Sequence, residues 1–423
     1  MAGKNGTNGR QPARTVITGM GAITAIGNNV EEFWASALEG KSGIDVLTSF
    51  DHSQYPVHIA GEVKGFDPEE YMDRRDARRM GRFSQFAIAG THQALKQAEL
   101  DLEDVDRDRV GVLIGNGIGG IQESQQAVRT IDSRGGMKVD PFFFPKMLPN
   151  MAAAHIALHF GARGYNNTVI TACAAGTQAI GDAMDLVRSG RVDVAITGGT
   201  EAALCELGLC GFAVIRALST QNDPPQKASR PFDANRDGFI AGEGAGIFVL
   251  ENLEHAKARN APILAELAGY GACNDSYHVV APSEDGSGAM RAMREALHDA
   301  GVEPSDVDYI NAHGTSTQLN DKSETLAIKK LFGEDAYRVP ISSTKSMIGH
   351  SFGAAGAIES VAAVQTIRTG WIHPTINYEH PDPDCDLDYV PNQARQADVK
   401  VILTNSFGFG GQNACLVFKR YEE

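Results

Sequence analysis

Two stretches of this chain share one local grammar, and that repetition constrains the fold more than any other feature. "NTVITACAAGTQAIGDAMDLVRSG" (167–190) reads as a strand, a tight turn, a small-residue helix and a glycine stop. "VPISSTKSMIGHSFGAAGAIESVAAV" (339–364) reads as strand, loop and small-residue helix again. The strands "RTVITGMGAI" (14–23) and "PILAELAGYG" (262–271) open the two parts, and "RVGVLIGNGIGG" (109–120) corresponds to "VDYINAHGTST" (307–317) as strand then loop. A helix "VEEFWASALEG" (30–40), a strand "VDVAITGGTEA" (192–202) and a closing strand–glycine–strand run "KVILTNSFGFGGQNACLVF" (400–418) complete the pattern. Unbroken apolar runs such as "VGVLIG" and "VAITGG" suit strands covered on both faces. Alternating strands and helices predict an α/β layered fold. We therefore expect two similar halves, 14–260 and 261–423, after a disordered extension over 1–13. Their junction "ENLEHAKARNAP" reads as a helix that must stop before Pro262.

Composition narrows the function classes. The net charge of −15 sets the chain against nucleic acid and anionic membrane surfaces. No apolar stretch approaches the roughly 20 residues that span a bilayer, and the polar opening "MAGKNGTNGRQPA" lacks the apolar core of a secretion signal. Six cysteines without a CxxC pair give no disulfide framework, so a reducing cytoplasm is expected. The 46 glycines fall in runs such as "GNGIGG" and "GFGGQN", which let backbone approach backbone or ligand closely.

Cys173 sits where a strand gives way to a helix, followed only by Ala, Ala and Gly. A free cysteine is commonly a small buried hydrophobe. A helix N-terminus, however, favours the thiolate and lowers its pKa, and small neighbours leave room for a large substrate. His313, just past a strand in "NAHGTST", and His350, in "KSMIGHSFGAAG", occupy matching places among glycines and serines. His155 and His159 could share a helix face, but they lack the glutamate of a zinc-binding HExxH and are read as structural.

Three further motifs are decoys on sequence grounds. "GHSFG" (349–353) has the serine-hydrolase spacing, but "SSTKSMI" separates it from its strand, and too little chain follows for the rest of such a sheet. "DANRDGFIAGEG" (233–244) begins like a calcium loop, yet its twelfth residue is Gly244, so a tight Asp-rich turn is expected. "GNGIGG" is not the dinucleotide fingerprint, and no Walker A sequence exists, so no nucleotide cofactor is expected. One charge feature runs against the acidic whole: Arg74, Arg75, Arg78, Arg79 and Arg82 are spaced for one helical face. That face is either solvated and paired with Asp73, Asp76, Glu69 and Glu70, or a dock for an acidic partner.

Taken together, "TACAAGTQAIGDA", "NAHGTSTQLNDKSE", "SSTKSMIGHSFGAAGAIES" and "NSFGFGGQN" resemble the signature blocks of condensing enzymes of the thiolase fold, the β-ketoacyl-[acyl carrier protein] synthases. "ALSTQNDPPQKASRPFDANRDGFIAGEGAG" (217–246) is similar to a further block, and the likeness runs from about residue 14 to the end. The resemblance implies a duplicated fold with a five-layer α-β-α-β-α core. It implies decarboxylative Claisen condensation of an acyl chain with malonyl-carrier protein, without a redox cofactor or catalytic metal. It assigns Cys173 as the acylated nucleophile, and His313 and His350 as the catalytic histidines. Lys345 is assigned as the active-site lysine, Glu324 as the acid it orders, and Phe409 as gate and second oxyanion donor. Thr315 and Thr317 would bind pantetheine, beside Gly408 and Gly410. Phe212 would be a second gate residue and Ile118 a wall of the acyl tunnel, and Phe143 would reach the partner subunit's tunnel in a homodimer. Arg75, Arg78, Arg79, Lys138 and Arg216 would dock the acidic carrier protein, and a structural cation near Asn311, Glu359 and Asn405 is also implied. A polyketide or specialised-lipid ketosynthase is the alternative; a noncatalytic chain-length-setting subunit would typically lack the cysteine, and a serine hydrolase would act through Ser351.

Overall fold

The computed structural model describes residues 13–422; apart from Ala13, the extension expected over 1–13 lies outside the described residues. Ten strands carry the fold: β1 Thr15–Ile23, β2 Val110–Gly115, β3 Asn166–Val169, β4 Val194–Glu201, β5 Gly244–Asn252, β6 Ala265–Asn274, β7 Tyr309–Asn311, β8 Ile341–Ser342, β9 Val401–Gly408 and β10 Gln412–Lys419. Six helices matter to the site: α1 Arg82–Gln97, α2 Ala175–Arg188, α3 Glu206–Val214, α4 Ser287–Ala300, α5 Gln318–Phe332 and α6 Ala355–Thr369.

The strands are hydrogen-bonded in the order β8-β7-β9-β10-β6-β1-β5-β4-β2-β3. Read outward from the middle, the two halves repeat one topology. β1 pairs antiparallel with β5 and β5 with β4, then β4 and β2, and β2 and β3, run parallel. β6 pairs antiparallel with β10 and β10 with β9, then β9 and β7, and β7 and β8, run parallel. Within the ten-stranded sheet, among the described residues, Thr15–Ile17 against Ala265–Leu267 join the halves. At that junction the sheet doubles back, because α2 and α6 each touch strands of both halves. α1 covers the outside of the first half and α4 the outside of the second, which gives five layers: helix, sheet, helix pair, sheet, helix.

The sequence explains the middle layer. α6 is buried on every side from Ala355 to Ile367, so no stripe of polar residues is possible except where partners exist. α2 buries Ala179, Ile180, Ala183 and Met184 in the same core as Val361, Ala362 and Ile358. Small residues let these helices lie close to the sheet and to each other. Each enters through a short 3₁₀ turn, Ala172–Ala174 before α2 and Phe352–Ala354 before α6. These turns carry the chemistry.

The arginine stretch departs from the expected single helical face. The helix spans only Arg74–Ala77 before the chain bends and α1 begins at Arg82. Arg82, half-buried, turns onto the buried Glu243 at 2.9 Å and so leaves the surface row. The Asp-rich turn is as expected: Asp233 receives Arg230 and the backbone N–H groups of Asn235, Glu379 and His380. Those donors use its oxygens as a turn anchor, not as a calcium ligand.

Candidate active site

β3 ends at Val169, and Ala172 takes a left-handed φ of 49°, a strained value for a residue with a Cβ. That bend places Cys173 at the mouth of α2, facing the cavity. Gly408, at the end of β9, passes so close that a Cβ there would lie 3.1 Å from Cys173 N and 2.9 Å from Thr171 O. The missing side chain therefore lets the next peptide reach the sulfur. The backbone N–H groups of Phe409 and of Cys173 itself both favour the thiolate form, an arrangement able to hold an oxyanion. The N–H groups at the helix start do favour the thiolate, as expected, but they do not set the thiol's pKa. Burial pushes it up to about 12, against the opposing pull of Lys345 and the two N–H donors. The resting nucleophile is thus a neutral thiol that must lose its proton as it reacts.

His313 and His350 line the same cavity of about 460 Å³ as Cys173, Thr315, Thr317, Phe407 and Phe409. Their rings stand 5.5 Å apart at 87°. Burial and the Lys345 charge hold both imidazoles well below the usual histidine range, so both are neutral near pH 7. Lys345 Nζ lies 3.3 Å from His313 Nδ1, which must accept, so the His313 proton sits on Nε2. His350 Nδ1 is buried without a partner, and its backbone N–H bonds Ile240 O at 2.6 Å.

The charge network differs from the expected one in one respect. Lys345 does not order Glu324. Its ammonium pairs with Glu359 of α6 and donates to His313 O at 2.6 Å. Glu324, on α5, instead accepts from the backbone N–H of His313 and of Gly314, each at 2.8 Å, and from Asn405 Nδ2 at 3.2 Å. The physical reason is position: α6 runs through the core beneath Lys345, whereas the α5 carboxylate caps the turn that carries His313. A lone acid in the apolar run "AAGAIESVAAV" was the signal for Glu359. Asn311 Oδ1 and Glu359 Oε2 remain buried without a hydrogen-bond partner, a pair of oxygens suited to a cation. Ser351 is fully buried and its Oγ has no partner, so no histidine activates it.

At the mouth, Thr315 Oγ1 and Thr317 Oγ1 are 2.9 Å apart, and Gly410 is tied down by Asn274 and Val279 O. Phe212 of α3 stacks on Phe352 at 4.9 Å and lies 6.1 Å from Phe409, closing the inner end of the cavity. Ile118 packs against the same apolar cluster as Phe212 and does not line the Cys173 cavity. Phe143 lies elsewhere, in a separate cavity with Glu123, Arg129 and Cys205. Arg75 and Arg78 are exposed, and with Arg74, Arg79 and Phe142 they form a shallow basic depression. Lys138 is exposed, and Arg216 sits at the cavity rim. His155 and His159 take no part, as expected: His159 meets His92 at 3.0 Å, and His155 faces Pro145 O. Residues the sequence reading missed include Phe239, edge-on to His350 at 5.3 Å, and Phe407, 5.6 Å from His313.

A cysteine held by two backbone donors beside two neutral histidines, on a doubled α/β sheet, is the constellation of a thiolase-fold condensing enzyme. The profile described as "Beta-ketoacyl synthase, N-terminal domain" matches residues 13–256, and "Beta-ketoacyl synthase, C-terminal domain" matches 264–379. The chain belongs to the β-ketoacyl synthase family. It is 50% identical over 412 residues to "3-oxoacyl-[acyl-carrier-protein] synthase 2" of Staphylococcus aureus strain N315, covering 97% of this chain and 99% of that one. It is 50% identical over 409 residues to the protein of the same name from Synechocystis, with 97% and 98% covered. Among solved structures, a type II polyketide ketosynthase in complex with its acyl-carrier protein superposes with a TM-score of 0.90 at 38% identity, covering 97% of this chain and 100% of that one. A β-ketoacyl synthase from Burkholderia phymatum does so at 0.91 and 35% identity, with the same coverage.

Proposed function

We propose that this chain is a β-ketoacyl-[acyl carrier protein] synthase II, extending fatty-acyl chains by decarboxylative Claisen condensation. The observation that carries the reading is the meeting, in one cavity, of Cys173 under two backbone donors with two neutral imidazoles. Identity of 50% with the elongation enzymes, against 38% with the polyketide ketosynthase, supports fatty-acid over polyketide synthesis.

In the first half-reaction the Cys173 sulfur attacks the thioester of acyl-carrier protein. The Cys173 and Phe409 N–H groups hold the oxyanion. The thiol proton passes to His350, a neutral imidazole with no lysine on its Nδ1, and on to the departing pantetheine thiolate. His313 cannot take it, because Lys345 occupies Nδ1 and Nε2 already bears hydrogen. In the second half-reaction malonyl-carrier protein enters with its pantetheine along Thr315 and Thr317. Loss of CO₂ leaves an enolate whose oxygen receives N–H donors from His313 and His350, each worth roughly 3 kcal/mol of barrier. The carbanion attacks acyl-Cys173. The Cys173 thiolate then departs from β-ketoacyl-carrier protein and takes a solvent proton through His350.

The acidic carrier protein would dock on Arg75, Arg78, Arg79, Lys138 and Arg216. β3 leaves the sheet edge unpaired, and Phe144, Leu148, Leu158 and Ile170 are exposed, which supports a homodimer through that edge, with Phe143 serving the partner's tunnel. We place the boundary between the halves at 260/261. The orphaned oxygens of Asn311 and Glu359 fit a structural cation, whose charge would steady the strands that carry Asn311 and Asn405. Among the described residues no helix is long and apolar enough to cross a membrane, which supports a cytoplasmic enzyme. The test is incubation with acyl- and malonyl-carrier protein. A β-ketoacyl-carrier product two carbons longer, with one CO₂ per turn, is expected. Release of free fatty acid without CO₂ overturns the reading.

A further inference from the structure

The segment that began like a calcium loop has a different use. Arg236 is buried, with only 4% of its surface exposed, an expensive place for a guanidinium unless its donors are matched. They are. Nε donates to Thr317 O at 3.1 Å, Nη2 to Gln318 O at 3.3 Å, and Nη1 to Asp233 O at 2.9 Å and Asp382 Oδ2 at 2.5 Å. The fully buried Asp321 lies 3.6 Å from Nε and accepts from the backbone N–H of Thr315 and Phe232. Gly238 N–H bonds Ser316 O at 3.1 Å, and Ser316 holds a left-handed φ of 69°. The turn 315–318 is thus gripped from behind at four consecutive residues. Four residues further along, the same segment grips His350: His350 N–H donates to Ile240 O, and Gly242 N–H donates to His350 O.

We infer that Arg236, seated on Asp321, is a positioning residue: it sets the Thr315 and Thr317 hydroxyls at a fixed height above His350. The inference rests on the condensing-enzyme reading, because it supposes that those hydroxyls hold pantetheine. A planar fork spanning two successive carbonyls is something a guanidinium does and an ammonium does not. Losing it leaves Cys173, His313 and His350 in place but lets the threonine turn drift. The defect therefore falls on binding of the pantetheine arm and not on the nucleophile.

Steady-state condensation is measured with malonyl-carrier protein and with malonyl-pantetheine, for wild type, Arg236→Lys and Asp382→Asn. In parallel, the alkylation of Cys173 by iodoacetamide, too small to use the threonines, is timed. Arg236→Lys is expected to raise KM for both malonyl substrates by ~10-fold with kcat within about 3-fold. Asp382→Asn frees one side of the fork without touching the turn and raises KM by ~3-fold. Alkylation stays within about 2-fold of wild type in both variants. An unchanged KM in both variants overturns the inference, as does a rise confined to the carrier-protein substrate, which would indicate protein docking. A parallel loss of alkylation means general damage to the fold and equally overturns it. Failure of the wild type to condense at all is a separate result, and it overturns the reading on which the inference stands.

Discussion

The two halves of the molecule are built alike and used differently. In the first, β3 leads through the turn Ala172–Ala174 into α2; in the second, β8 leads by way of His350 through the turn Phe352–Ala354 into α6. Both turns begin with a residue at left-handed φ, Ala172 at 49° and Phe352 at 47°. In the first turn the next residue is Cys173, the nucleophile. In the second it is Gly353, where a Cβ would lie 2.3 Å from Gly117 N and 2.8 Å from the Asn116 carbonyl carbon. Gly353 N–H instead donates to the buried Glu201 at 3.2 Å. One copy of the turn thus presents a reactive side chain to the cavity, and the other gives up its side chain so that the halves can close. Its neighbours His350 and Lys345 supply what the first half lacks. Duplication teaches here that the same backbone device can hold a nucleophile or a seam, decided by one Cβ.

Removing either histidine sharpens this division of labour most strongly. His350→Ala should slow both acyl transfer and malonyl decarboxylation, the latter by ~10²–10³-fold as for loss of one oxyanion donor. His313→Ala should slow only decarboxylation, by a similar ~10²–10³-fold, and leave acylation of Cys173 within a few-fold. Single-turnover acylation and CO₂ release, measured separately, check this; equal loss of acylation in both variants would break the assignment.

Acid tests the buried imidazoles of the second half. Burial holds His373 down to about 4, and His313 and His350 shift the same way. Unfolded, each titrates near 6.5, so below that pH the unfolded chain binds protons the folded one refuses. Stability is full above pH 6.5 and falls as pH drops towards 4, by about 3 kcal/mol for His373 alone. Urea midpoints at pH 7 and 4.5 should show the decline, and His373→Gln should flatten it. An unchanged slope in that variant refutes the assignment. Filling the seam is the mildest change: Gly353→Ala should cost about 1–3 kcal/mol by forcing backbone apart, read as a lower urea midpoint, whereas Cys173→Ala should cost under about 1 kcal/mol.

Much of this was legible in the sequence. Uninterrupted apolar strands and small-residue helices announced the layers, and the repeated grammar announced the duplication. Cys173 and His313 stood out because each lies where a strand stops among small residues, and His350 because it stands among them at a helix entry. What stayed hidden depended on contacts distant in the chain. The Lys345–Glu359 pair needs α6 to pass beneath the lysine, and the lone acid in an apolar run marks Glu359 as buried without saying what it meets. The Arg74–Arg82 row read as one helix because periodicity does not reveal that the chain bends at Arg78–Gly81 to start α1. The thiol pKa was misjudged because a helix start is visible in sequence, whereas the burial that outweighs it is not. Phe239 and Arg236 were hidden inside a turn that showed only its Asp-rich spacing.

The central claim is that Cys173 carries the acyl chain, and intact-mass spectrometry tests it most directly. Wild type and Cys173→Ala are each incubated with long-chain acyl-carrier protein and weighed. One acyl group added to the wild-type chain and none to the variant is the predicted result. Equal mass gain in both proteins, or none in the wild type, contradicts it.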